Sequence, residues 1–125
     1  MAQPLPTLKK GSKGEAVNGL QNALNARSSQ GVGAVDGIFG PATENAVKQF
    51  QRDVGLVEDG IAGPATWGEL YVCVVQRGDT LSKIAEQNLG DAERWPDIYD
   101  LNRALISDPD KISPDEILTL PIYGE

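Results

Sequence analysis

The 125-residue chain has no histidine and one cysteine, Cys73. The missing imidazole removes the commonest general base and the commonest metal ligand. A lone cysteine closes no intrachain disulfide. Without a second sulfur or an imidazole, a Cys/His zinc site is excluded. The chain also lacks any run approaching the roughly 20 apolar residues of a membrane span, so membrane insertion is not expected. Met1-Ala2-Gln3-Pro4-Leu5-Pro6 shows no basic region followed by an apolar core, so no secretory signal is visible there. Carboxylates are plentiful and could in principle bind calcium or form an acid/base pair. The pairs Asp97/Asp100 and Asp108/Asp110 do not have the spacing of a calcium loop and read as solvated faces. No metal, cofactor or enzymatic activity is expected.

The charge is uneven. Residues 1–70 carry six basic and seven acidic side chains, a net −1, and residues 71–125 carry five and eleven, a net −6. An acidic second half argues against nucleic acid and against anionic membrane surfaces. It suits a neutral glycan or a basic protein partner.

What is present is an internal repeat. Residues 36–43 read Asp-Gly-Ile-Phe-Gly-Pro-Ala-Thr and residues 59–66 read Asp-Gly-Ile-Ala-Gly-Pro-Ala-Thr, 23 residues apart. Asp-Gly makes a tight turn, with the Asp side chain folding onto nearby backbone N–H groups. Pro41 and Pro64 suit a first helical position, where the missing N–H costs nothing. Helices are therefore predicted from Pro41, ending at Gly55, and from Pro64 to Leu70. The first presents Ala46, Val47, Phe50 and Val54 on one face; the second presents Trp67. An earlier helix follows Ser12-Lys13-Gly14-Glu15, which has capping-box spacing, with Val17, Leu20 and Leu24 as its apolar face. Phe39 and Trp67 read as packed residues.

The pattern changes near Tyr71. Val72-Cys73-Val74-Val75 reads as a strand, with Cys73 a buried strand residue. Gly78-Asp79-Thr80 is a turn with Asp79 or Thr80 as N-cap. The helix after it places Leu81, Ile84, Ala85 and Leu89 on one face and ends at Gly90. A second helix lies within 93–105, with Pro96 in its first turn and Trp95, Ile98, Tyr99 and Asn102 on one side. Trp95 reads as a core anchor. Ser107-Asp108-Pro109-Asp110 is a loop and Ile117-Leu118-Thr119-Leu120 a second strand. Two strands alone are marginal, so both helices must cover one face of the pair.

The first part resembles the three-helix peptidoglycan-binding domain found beside many wall hydrolases. The match runs through Leu8–Val17, Leu20-Gln21, Leu24, Val35–Thr43, Ala46–Gln51 and Asp59–Trp67. One departure is segment 27–33, where the family often places a Gly-aromatic pair. The second part resembles a LysM domain over about 72–122, through Val74–Leu81, Ile84-Ala85, Gly90-Asp91, Trp95-Pro96, Ile98-Tyr99, Asn102, Asp108–Ile112, Pro114 and Leu118–Pro121. Cys73 stands where that family usually has an aromatic, and Asp115 replaces a turn glycine.

Together the resemblances imply a mainly α chain with a small α+β part. A three-helix peptidoglycan-binding-like domain would occupy residues 1–70 and a β-α-α-β LysM-like domain residues 71–125. They imply non-catalytic binding of peptidoglycan or another N-acetylglucosamine-containing glycan. The LysM resemblance places the sugar groove between Gly78, Asp79, Thr80 and Leu81 on one side and Ser107, Asp108, Pro109, Asp110, Lys111 and Ile112 on the other. Backbone groups there would pair with the sugar amide, and Leu81 and Ile112 would receive the acetyl methyl. An alternative from the same resemblance is an adaptor in the baseplate of a phage tail or contractile injection system, with tail proteins as partners. The chain would act at the cell wall or in an extracellular or virion-like assembly, and its start is compatible with cytoplasmic synthesis and assembly.

Overall fold

A computed structural model of the chain describes residues 5–28 and 31–121. Residues 1–4, 29–30 and 122–125 lie outside the described residues, and with them part of segment 27–33 and most of the stretch read for a signal.

Three helices come first: α1 (Glu15–Arg27), α2 (Pro41–Asp53) and α3 (Pro64–Leu70). As their prolines predict, α2 and α3 begin on Pro41 and Pro64, each preceded by an extended glycine. Their core gathers Val17, Leu20, Leu24, Phe39, Val47, Phe50 and Trp67, all nearly or fully buried. The Trp67 indole N–H donates to the Pro6 carbonyl at 2.7 Å, so its one polar atom is satisfied inside that core.

The capping box does not form. Gly14 is the N-cap of α1 and no side chain caps that helix. The Ser12 hydroxyl instead accepts the Lys9 N–H at 3.1 Å. Residues 11–14 are drawn into pairing with the first repeat turn: the Gly14 N–H donates to the Gly37 carbonyl, and the Phe39 N–H to the Ser12 carbonyl, both at 2.9 Å. This backbone ladder includes Ser12 and sets the entry to α1 at Gly14. Leu8 makes the matching bridge to Ala62 in the second repeat turn.

The repeat is structural as well as textual. Gln21 on α1 sends its amide nitrogen to Asp36 Oδ1 (2.9 Å), the Ile38 carbonyl (3.0 Å) and Thr43 Oγ1 (3.0 Å), while its Oε1 accepts the Asp36 and Gly37 N–H groups. Gln51 on α2 does the same to Asp59 Oδ1, the Ile61 carbonyl and Thr66 Oγ1, and its Oε1 accepts the Gly60 N–H. Each Asp also accepts the N–H two residues on, at 3.0 Å. A buried glutamine thus staples each Asp-Gly turn to the helix before it.

The rest is β1 (Val72–Val74), α4 (Leu81–Leu89), a 3-10 turn (Ala92–Arg94), α5 (Trp95–Leu101) and β2 (Ile117–Thr119). The 93–105 helix is shorter than that window. Its first turn is tightened, and it stops at Leu101 because the next residue, Asn102, turns its side chain onto the backbone: its amide donates to the Ile98 carbonyl at 2.7 Å.

β1 and β2 pair antiparallel, Val72 opposite Thr119 and Val74 opposite Ile117. Alternation splits the pair between two cores. Val75, Leu118 and Leu120 pack with Leu81, Ile84, Ala85 and Ile98, with Cys73 beside them. Ile117, Val72 and Val74 face the other way, onto the core of α1–α3. The ribbon is therefore a shared layer: α4 and α5 cover one face, as expected, and α1 covers the other. This answers the marginal stability of a two-stranded sheet.

Candidate functional site

The groove is built from two turns. In the first, Gly78 has φ +85° and the Asp79 carboxylate accepts the Gln76 N–H at 2.9 Å. Thr80, not Asp79, is the N-cap of α4: its hydroxyl accepts the Lys83 N–H at 3.1 Å. That fixes where the helix starts and aims Leu81 inward, where it is buried. In the second turn, Asp108 Oδ1 accepts the Asp110 N–H and the Asp108 carbonyl accepts the Lys111 N–H, both at 2.9 Å. The Tyr99 hydroxyl ties this turn to α5 by donating to the Ser107 carbonyl at 3.2 Å. The Arg103 guanidinium lies 4.5 Å over the Tyr99 ring and pairs with Asp100 at 2.8 Å.

Between the turns lies a cavity of about 240 Å³, lined by Asp79, Thr80, Leu81, Ser82, Trp95, Pro109, Asp110 and Ile112. Six of the expected residues, Asp79, Thr80, Leu81, Pro109, Asp110 and Ile112, come together there. Gly78, Ser107, Asp108 and Lys111 do not line it; they shape and brace the turns. Ser82 and Trp95 line it without having been predicted. The sequence pattern reads Trp95 as a core residue. It is half-buried, packing on the second core with one part and lining the cavity with another. Its place among the apolar positions of α5 hid the second role.

Chemically the cavity joins apolar walls (Leu81, Ile112, Pro109, the Trp95 ring) to a hydroxyl pair and two carboxylates. Such a mixture suits an amphipathic ligand with a ring face, a small alkyl group and several hydroxyls.

Elsewhere the titratable groups serve the fold. The Gln21 amide first, then the Ile38 N–H, hold the Asp36 carboxyl below its ordinary range. The Ile61 N–H and the Gln51 amide do the same for Asp59. Burial pushes the half-buried Cys73 thiol up to about 12, so it is protonated at neutral pH. Among the described residues, no group of three or more His, Cys, Asp or Glu side chains could hold a metal.

Comparison with known families follows this division of the chain. Residues 13–70 match the peptidoglycan binding domain family and residues 73–121 match the LysM domain family. The chain is similar to each family over the part that it matches. Its peptidoglycan-binding domain precedes its LysM domain, and the two matches meet within two residues of Tyr71. The zinc D-Ala-D-Ala carboxypeptidase of Streptomyces albus G is 52% identical over 68 residues, covering 52% of this chain and 26% of the enzyme. The potassium binding protein Kbp of Escherichia coli O6:H1 is 34% identical over 90 residues, covering 69% of this chain and 59% of that protein. Among solved structures, the SleB N-terminal domain is similar at 38% identity and a TM-score of 0.48, over 55% of this chain and 93% of that one. The chain spans about a quarter to three fifths of the length of these two curated relatives. A match to the peptidoglycan binding domain family fits cell-wall association. No helix among the described residues is long and apolar enough to cross a membrane.

Proposed function

We propose that the chain is a non-catalytic reader of cell-wall glycan and that its LysM groove takes N-acetylglucosamine units of peptidoglycan. The cavity supports this reading: a recess of mixed polar and apolar lining between two loop turns, in which Thr80, Ser82, Asp79 and Asp110 would meet sugar hydroxyls. Such loops on a scaffold are where recognition residues concentrate. Leu81 and Ile112 would accept the acetyl methyl, and Trp95 and Pro109 would pack on the sugar ring. The non-catalytic part rests on the inventory. There is no histidine, and the one thiol is held protonated by burial.

Co-sedimentation with insoluble peptidoglycan tests the reading. The protein should pellet with the polymer, and Thr80→Trp, which crowds the cavity, should release it with its circular dichroism unchanged. Retention of intact protein in the supernatant at both low and high salt would overturn wall binding. The turbidity of the suspension should stay constant, since clearing would reveal a hydrolase.

One observation favours a second reading, a protein adaptor of a tail or injection machine. The LysM half is strongly acidic, which suits a basic protein surface better than an anionic wall. Stable co-purification with tube or spike proteins, with no pelleting on peptidoglycan, would select it.

A further inference from the structure

We infer that Asn22, on the peptidoglycan-binding domain, is a positioning residue for the groove of the LysM domain. The inference rests on the reading above that this groove takes the glycan. Asn22 touches no part of the cavity; it acts through Asn102 and Thr119.

The second groove wall belongs to the segment between α5 and β2, and one buried knot ties the start of that segment to the last residue of β2. At its start, the Asn102 side chain behaves like a piece of neighbouring strand. Its nitrogen donates to the Thr119 carbonyl and its oxygen accepts the Thr119 N–H, both at 2.8 Å. This closes the edge of β2 that β1 leaves open. Asn22 completes the knot from α1. Its nitrogen donates to Asn102 Oδ1 at 2.9 Å, to the Leu101 carbonyl at 3.0 Å and to Thr119 Oγ1 at 3.3 Å. Asn102 and Thr119 are fully buried and Asn22 nearly so. In a dry site these bonds are strong and a missing donor is not replaced by water. The seating of the end of α5 on β2, between which the loop of Pro109, Asp110 and Ile112 runs, is therefore held partly by a residue of the other domain.

Two variants separate positioning from packing. Asn22→Ala removes the donor. Asn22→Asp keeps the shape but turns an anion toward acceptors, so it should be the worse of the two; a pure packing role would rank them the other way. Amide exchange at Lys111, whose N–H closes the wall turn, and at Thr119 should quicken relative to Phe39 by about ten-fold in Asn22→Ala. Calorimetric affinity for tetra-N-acetylchitotetraose should fall by about three- to ten-fold. Gln49→Ala, on an exposed pair of α2, should change neither reading. An unchanged Lys111-to-Phe39 exchange ratio in Asn22→Ala would overturn the inference. A wild-type protein that ignores the tetrasaccharide would overturn the glycan reading, and the exchange ratio would still decide the role of Asn22.

If both variants fail to fold, the tryptophans serve instead. Trp67 reports the first domain and Trp95 the second. In each of the Trp95→Phe and Trp67→Phe proteins, the fluorescence of the remaining tryptophan and the far-ultraviolet circular dichroism should give coincident urea midpoints, because the knot couples the two cores. Separate midpoints would overturn the coupling.

Discussion

At the scale of single residues, the two glutamine staples carry the first domain. Gln21 and Gln51 are almost completely buried polar side chains, tolerable only because each is saturated with partners. Truncating either leaves a buried turn N–H, that of Gly37 or Gly60, without its acceptor and opens a cavity where the side chain was. Gln51→Ala and Gln21→Ala should each cost about 2–4 kcal/mol in urea unfolding. The staples also set an acid limit. Asp36 and Asp59 have folded-state carboxyl pKa values below the ordinary one. A depressed value stabilises the fold above the unfolded-state pKa and is lost as pH falls through the folded one. The urea midpoint should therefore stay level from neutral pH down to roughly 5 and decline below about pH 4, with a shallower decline in the glutamine variants. The Asp turns were legible in the sequence, because Asp-Gly chemistry is local. The staples were not, since nothing in a glutamine declares a partner 15 residues away. The one available signal was an apolar-Gln pair, Leu20-Gln21 and Phe50-Gln51, ahead of each repeat copy.

At the scale of elements, helix starts on proline, glycine stops and the β-α-α-β order could all be read from local chemistry. The missing capping box could not, because Ser12 is claimed by a ladder to a turn more than 20 residues on. Six of the eight residues that line the cavity were legible in the sequence. Its turns follow from Gly78, Asp79 and Asp108, while Trp95 was hidden because one helical position serves both core and cavity. The turn entering β2 offers a test. Asp115 has φ +73°, a conformation that strains a side chain and that glycine adopts freely. Its N–H still donates to the Val75 carbonyl at 2.8 Å, and glycine would keep that bond. Asp115→Gly should therefore raise stability by about 0.5–1 kcal/mol, less the extra entropy of the unfolded chain. Thermal unfolding followed by circular dichroism would read it, and a lower midpoint would show that the Asp side chain does more than fill the turn.

At the scale of the whole molecule, the two domains share a layer, and a glycine stands at one close approach between them. A Cβ at Gly19 on α1 would lie 2.6 Å from Ile117 Cβ and 2.9 Å from the Ile117 carbonyl oxygen on β2. The helix and the strand approach this closely only because Gly19 has no side chain. Near the same boundary, Asn22 bonds Asn102, and the Arg27 guanidinium donates to the Leu70 and Leu120 carbonyls. Gly68 on α3 gives the comparison, because a Cβ there would meet nothing within 4 Å. An exposed helix-interior glycine replaced by alanine gains about 0.5–1 kcal/mol from propensity alone. Gly68→Ala should show that gain. Gly19→Ala should lose about 1–3 kcal/mol, because the methyl must push backbone away from backbone across the domain boundary. The opposite signs are the test. If the two domains were merely tethered, β2 would yield at little cost and both alanines would stabilise the protein.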